Sequence, residues 1–361
     1  MKKKFSTPLP VLICGVGGGS YGAQILKALR FSGNNYFIIG ADIDRTSKGL
    51  AEVDRAYIVP RADDPDFQDS FMQICEKENV KAVFHGSELV MMHLANMSRQ
   101  LAKKNIFLPV NPDSVLATCQ DKVDTVSFLR QNGFSFPSYL EISSLDEVKG
   151  FSTFPVVLKP SVQSGGSANV FIAQSQEELE TFTRYLLQLY NKFILQEYVG
   201  TPDQEYTVGV LFGADGTLLN SIAVKRIIKS ALSTSLRVPN RTARKELGNS
   251  LVISSGISQG HIGRFPHITS ICEKIGLALK ATAPINIQCR YVGDQVVTFE
   301  INPRFSGTTF IRALAGYNEP DLLIRREVLG ESVEPFFAYD ECTVMRGLHE
   351  KRLPGTSIPN C

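Results

Sequence analysis

From residue 10 to about residue 112, short apolar runs alternate with stretches of helical periodicity. The runs 11–16, 36–41 and 80–85 predict buried strands, with a further strand over 56–59. Between them, 20–31, 67–78 and 88–103 place apolar residues three and four apart, the spacing of amphipathic helices. Such alternation predicts a parallel sheet covered by helices. Asn111-Pro112, then a helix over 113–119, mark the exit from this unit.

The pattern then changes. A helix over 121–132 is ended by Gly133, and Pro137 opens a strand. Strands dominate afterwards, at 156–159, 169–173, 193–197, 205–212 and 218–226, interrupted by one helix over 176–190. A long irregular stretch, 229–265, precedes a helix over 268–281, a strand pair within 284–302 and a helix over 321–329. The reading is α/β followed by α+β. The tail 351–361, with Pro354, Gly355 and Pro359, is expected to be loose.

Composition narrows the class. At 361 residues the chain holds two or three domains with sizeable cores. A formal net charge of +2 gives no argument for nucleic acid or an anionic membrane as partner. No apolar run reaches the roughly 18 residues of a membrane helix, and Lys2-Lys3-Lys4 before a short apolar run does not make a signal peptide. Seven scattered cysteines without a C-x-x-C pair point to reduced thiols and a cytoplasmic setting.

The densest chemistry lies in Asn286-Ile287-Gln288 and Glu300-Ile301-Asn302-Pro303-Arg304. Glu300 and Asn302 sit two apart, so a strand presents both from one face. Mg²⁺ takes oxygen ligands, usually one or two carboxylates together with phosphate oxygens, and Arg304 adds a guanidinium fork suited to phosphate. Register decides whether Gln288 joins them. A plain two-residue turn at Gly293-Asp294 would pair Gln288 with Phe299 and aim it away from Glu300. Shared ligation requires an odd-length loop or a bulge.

Two glycine-rich segments add to this. Lys159 ends a strand and is followed by a loop with Gly165-Gly166, a device that folds backbone N–H groups over phosphates. Gly17-x-Gly19-x-x-Gly22, with Asp42 and Asp44 about 20 residues on, matches the spacing of a dinucleotide-binding turn and keeps an NAD(P)-dependent oxidoreductase as an alternative. Ser87, after His85-Gly86, is expected to cap a helix, and in this architecture a substrate can also touch that strand end. His93, His261, His267 and His349 show no metal-ligand spacing.

Lys159-Pro160-Ser161, Gly165-Gly166, Gln196-Glu197-Tyr198-Val199, Glu205, Asn286-Ile287-Gln288 and Glu300-Ile301-Asn302-Pro303-Arg304 occur in the order found in the ATP-grasp superfamily. Over about residues 10–330 the chain resembles one synthetase unit of the carbamoyl phosphate synthetase large chain. The resemblance implies a pre-ATP-grasp, Rossmann-like domain (1–115), an ATP-grasp module (116–340) with a small lid (137–200) and a larger subdomain (201–340), and an extension (341–361). It implies an ADP-forming ligase that joins a small-molecule carboxylate to an amine or ammonia through an acylphosphate, with ATP and Mg²⁺ or Mn²⁺. A homodimer stays open. A non-catalytic ATP-binding sensor remains a further alternative, because Gln288 stands where many relatives carry a carboxylate.

By the same resemblance Lys122 and Lys159 reach phosphates and Gly165-Gly166 cover them. Gln196, Glu197 and Val199 form the adenine site, with backbone groups of Gln196 and Val199 meeting the base, and Glu205 binds ribose. Gln288, Glu300 and Asn302 hold metal. Arg304 stabilises the transferred phosphoryl group, and Lys225-Arg226 bind substrate. The basic stretch 229–256, with Arg237, Arg241, Arg244 and Lys245, is expected to be a mobile flap that draws in an anionic substrate.

Overall fold

The protein was analysed as a computed structural model that describes residues 7–17, 19–161 and 169–348. Four parallel strands, β1 (Leu9–Cys14), β2 (Tyr36–Asp42), β3 (Arg55–Ile58) and β4 (Ala82–His85), form a first sheet in the order β3-β2-β1-β4. Helices α1 (Tyr21–Phe31) and α2 (Phe67–Lys77) cover it, as the alternating pattern requires. Ser20 caps α1 by accepting from the Ala23 amide, and Ser87 caps α3 (Glu88–Asn96) by accepting from Val90. The single helix expected over 88–103 is two: Met97 separates α3 from α4 (Ser98–Lys103).

The strand order reverses between β1 and β4, and the crevice outside their carboxyl ends is a switch point of the kind that binds ligands. Here the glycines serve backbone contact. A Cβ on Gly22 would sit 2.0 Å from the Gly15 carbonyl oxygen, and one on Gly86 would sit 1.7 Å from it. Phe305, from the far end of the chain, stacks edge-on against Phe84 at 5.6 Å between ring centroids. Of the three glycines in the spacing that suggested a dinucleotide turn, Gly22 is required by this packing, whereas a Cβ on Gly17 would make only ordinary contacts and one on Gly19 would meet nothing within 4 Å.

Helices α5 (Asp113–Gln120) and α6 (Lys122–Gln131) lead to a second, antiparallel sheet. It comprises β5 (Tyr139–Ile142), β6 (Val156–Pro160), β7 (Phe171–Ala173) and β8 (Phe193–Glu197), in the order β5-β8-β6-β7. Helix α7 (Gln176–Leu189) packs Leu179 and Leu186 on one face of it, against Val156, Leu158, Phe193 and Leu195. Strand alternation sends Lys159 and Gln196 to the opposite face.

The largest sheet has six strands: β9 (Glu205–Phe212), β10 (Leu218–Arg226), β13 (Gly260–Gly263), β14 (Ile285–Val292), β15 (Gln295–Asn302) and β16 (Cys342–Val344). Its order is β15-β14-β9-β10-β13-β16. Helix α8 (Pro266–Leu279) buries Ile268, Cys272 and Ile275 against Val208, Val210, Ile285 and Ile287 on one face. Short helices α9 (Thr309–Leu314) and α10 (Glu319–Leu323) follow, α10 continuing as a π-helical turn, Ile324–Val328. The stretch 229–265 is not irregular. Besides β13 it holds an antiparallel hairpin, β11 (Thr234–Pro239) with β12 (Ser250–Ser254).

Asn111 fastens the first unit to the last. Its side-chain amide donates to the carbonyls of Pro284 and Pro303 and accepts from the amides of Thr282 and Ala283, at 3.0–3.2 Å. The six cysteines among the described residues are unbridged, and no helix among these residues is long and apolar enough to cross a membrane.

Candidate active site

The β14–β15 hairpin builds the acidic end of the site. Gly293 and Asp294 both adopt positive φ, +55° and +59°, as a two-residue type I′ turn requires, and Val292 pairs with Gln295. With that turn alone Gln288 would face away from Glu300. A bulge corrects the parity: Gln288 pairs with Glu300 and Cys289 with Thr298, leaving Phe299 as the extra residue. Gln288 and Glu300 then share a face, and the Gln288 amide donates to the Glu300 carboxylate at 2.9 Å. Asn286 pairs with Asn302 on the same face.

The lid closes the other side. Lys159 is 8% exposed and donates to the carbonyl of the bulged Phe299 at 3.3 Å. Burial, with Lys122 nearby, pushes the Lys159 ammonium down to about 7, against the opposing pull of Glu300. Lys122 reaches the Ser161 carbonyl at 3.5 Å. Gln196 is 5% exposed, and its Nε2 has no hydrogen-bond acceptor among the described residues. These groups line a cavity of about 170 Å³, whose apolar slot is made by Pro137, Val157, Val170, Ile253 and Phe299. Lys122, Lys159, Gln196, Glu300 and Arg304 also border a second, larger cavity of about 470 Å³ that extends toward the first sheet.

Three assignments need correction. Glu205 is 2% exposed and its two oxygens are taken by guanidiniums: Arg226 at 2.9 Å on one, Arg290 at 2.9 and 3.2 Å on the other. It lines the cavity, but with both oxygens engaged by guanidiniums its place is that of an internal anion. Burial alone would raise its carboxyl, but Arg226 and Arg290 outweigh that and hold it below the ordinary carboxylate range. Arg226 is 3% exposed and also donates to Ser254 and the Ser255 carbonyl, which places it as a strut, with its Nε left without a partner among the described residues. Lys225 pairs with Tyr206, on the α8 side of the sheet, while Arg226 faces the cleft. Neighbours in a strand point to opposite faces, so the two cations never act together.

Arg290 escaped the sequence reading. It also donates to the Val199 and Gly200 carbonyls, at 2.9 and 3.3 Å, fixing the segment that leads from the lid into the large sheet. Its place two residues beyond Gln288 was the available signal. Val199, whose backbone groups were expected to meet adenine, thus has its carbonyl already engaged. Glu197 lines the cavity and pairs with Arg244 at 3.1 Å.

Arg304 sits where the three units meet. Its guanidinium donates to Asn302 Oδ1 at 2.9 Å and to Glu88, from the first unit, at 2.8 Å, and it lies 4.7 Å above the Tyr21 ring. The Tyr21 hydroxyl meets His85 Nδ1 at 3.1 Å. Burial pushes His85 down to about 3, so this imidazole is neutral.

The basic segment is ordered and docked. Leu236, Val238, Leu247, Leu251 and Ile253 pack with Tyr198, Val157 and Ile172. Arg241 pairs with Glu178 of α7, and Arg244 with Glu197 and Glu246. Arg241 and Arg244 are thus already partnered, and the segment lies docked against the lid instead of forming an irregular loop. Gly165, Gly166, His349 and the tail 351–361 lie outside the described residues.

With this geometry in view, similarity to known proteins is informative. A family model described as "PylC-like, N-terminal domain" matches residues 11–108, and one described as "ATP-grasp in the biosynthetic pathway with Ter operon" matches 190–345. The chain is 24% identical over 321 residues to the multifunctional protein CAD of Squalus acanthias, covering 86% of this chain and 13% of that protein. It is 21% identical over 320 residues to the carbamoyl phosphate synthase large chain of Saccharolobus solfataricus, covering 84% of this chain and 28% of that one. Among solved structures, the ADP complex of purK, an N5-carboxyaminoimidazole ribonucleotide synthetase, superposes with a TM-score of 0.64 at 15% identity, over 95% of this chain and 81% of that one. The L-amino acid ligase from Bacillus licheniformis gives 0.61 at 16% identity, over 92% and 78%. The fold is that of the ATP-grasp proteins. In sequence, too, the chain resembles the ATP-grasp superfamily, the carbamoyl phosphate synthase large chain included.

Proposed function

We propose that the protein is an ADP-forming ATP-grasp ligase that joins a carboxylate to an amine or ammonia through an acylphosphate, in a cytoplasmic setting. The observation that carries this is the bulge at Phe299, which turns Gln288 and Glu300 to one face and gives Lys159 a carbonyl beside them. The domain limits proposed are 1–115, 116–340 with a lid over 137–200, and 341–361.

In this reading the apolar slot takes adenine, and the unpartnered Gln196 donor meets an acceptor on the base. Lys122 and Lys159 hold phosphates. Glu300 is the anionic ligand for Mg²⁺, with the oxygens of Gln288 and Asn302 beside it. This donor set of one carboxylate and two amides suits a hard cation completed by phosphate oxygens. The hydrogen bond now drawn from Gln288 to Glu300 requires the amide to turn over when metal binds, which amides do at little cost. When bound, Mg²⁺ neutralises charge on the phosphates.

Arg304 lies at the mouth of both cavities and steadies the group in transfer. A carboxylate oxygen forms a bond to the γ-phosphorus as the bond to the bridging oxygen breaks, and ADP leaves with that electron pair. An amine nitrogen then attacks the acyl carbon, loses a proton, and displaces phosphate.

Nucleotide binding tests the reading. Free Lys159, held near 7, is mostly neutral at pH 8, whereas phosphates favour its charged form. MgATP binding at pH 8 should take up roughly 0.9 proton, falling toward zero near pH 5 as the free lysine is already charged. Calorimetry in buffers of different ionisation enthalpy measures this, and Lys159→Met should abolish the buffer dependence. Binding of NAD(P) in place of MgATP contradicts the proposal.

A further inference from the structure

The larger cavity has a composition that bears on the substrate. Its outer wall is apolar: Met91 and Leu116 are 3% and 2% exposed, and Leu89, in front of them, is 39% exposed with Met92 beside it. Methionines adapt to linear chains of varied shape. Its charged groups come in pairs. Arg61 holds Asp63 through two bonds, at 3.0 and 3.1 Å, and Glu88, with its side chain 49% exposed, holds Arg304 at 2.8 Å.

Setting aside Lys122, Lys159, Glu300 and Arg304, which border the nucleotide cavity as well, the wall's own charges are Arg61 against Asp63 and Glu88, with Glu88 turned to Arg304 at the junction. A phosphorylated acceptor needs surplus cations, and this wall has none. A zwitterion fits it. Its carboxylate can replace Glu88 on Arg304, at the junction with the nucleotide cavity, and its ammonium can then take the Glu88 oxygens so released.

We propose that this cavity binds an α-amino acid with an apolar side chain, and that its carboxylate is the group phosphorylated. The inference rests on the ligase reading above. The amino acid ammonium lies on Glu88, its carboxylate on Arg304 facing the γ-phosphate, and its side chain along Leu89, Met91 and Met92.

The test is hydroxamate formation with MgATP and hydroxylamine, which intercepts an acylphosphate whatever the natural amine. Methionine, leucine and norleucine are compared with their N-acetyl derivatives, with 4-methylpentanoate and with phosphorylated carboxylates. Free amino acids should yield hydroxamate, with kcat/KM at least tenfold above the N-acetyl and desamino analogues. Leu89→Asp should raise the KM for methionine about tenfold without changing the KM for ATP, and Glu88→Gln should do the same. Equal or better use of N-acetyl, desamino or phosphorylated compounds overturns the proposal and leaves the ligase reading standing. MgATP binding with no hydroxamate from any amino acid also overturns it. Failure to bind MgATP removes the ligase reading itself.

Discussion

Glu300→Gln is expected to lower ADP formation by about 10²–10³-fold, the loss typical when one electrostatic partner of a developing charge is removed. The reason is the scarcity of anions at the site. Glu300 is the carboxylate that shares a face with the amides of Gln288 and Asn302, and among the described residues no group of three or more His, Cys, Asp or Glu could hold a metal ion. Glutamine keeps the volume and an oxygen to accept from Gln288 and removes only the charge. Melting temperature should stay near that of the unmodified protein, because Glu300 is partly exposed. Turnover close to the parent value would remove Glu300 from the metal site.

The second large effect is on stability. Glu205→Gln should destabilise the protein by about 3–5 kcal/mol, the range for removing one partner of a buried ion pair. Arg226 and Arg290 would be left deep in the sheet without their anion. Replacing all three together by apolar residues of similar size should recover much of the loss, since the desolvation penalty goes with the charges. The network also predicts a pH dependence. The Glu205 carboxyl is depressed by its two guanidiniums, so its contribution is fully present above the ordinary carboxylate range and is lost as pH falls through the depressed value. Denaturant titrations at pH 7 and at low pH measure both effects. A Glu205→Gln variant as stable as the parent would mean the network contributes nothing net.

Much of the scaffold was legible because its strands are apolar and buried on both faces. The ends of Phe193–Glu197, Glu205–Phe212 and Leu218–Arg226 coincide with the sequence reading. Thr234–Pro239 was missed because its exposed positions are Ser, Arg and Pro, and its partner lies across a ten-residue loop. The signal was present nonetheless: Leu236 and Val238, then Leu251 and Ile253, alternate as a half-buried hairpin should.

For the candidate site, the order of motifs named strands that the fold brings around one cleft, but parity and partners decided which side chains face it. Lys225 and Arg226 are adjacent in one strand, so one of them had to be excluded on geometry alone. Glu205, Arg226 and Arg290 are separated by up to 85 residues, and their mutual pairing depends on strand order that no local pattern encodes. The bulge at Phe299 is also invisible locally, since Gly293-Asp294 forms the regular two-residue turn it suggests. Arg304 was identified from its motif, whereas its bond to Glu88, 216 residues away, required the fold.

The most direct measurement of the central claim follows oxygen. A carboxylate substrate found in the hydroxamate screen is labelled with ¹⁸O in its carboxyl group and turned over with MgATP and amine. The account predicts one ¹⁸O transferred to inorganic phosphate per amide formed, with ADP as the nucleotide product. Unlabelled phosphate, or label appearing in AMP, would contradict it.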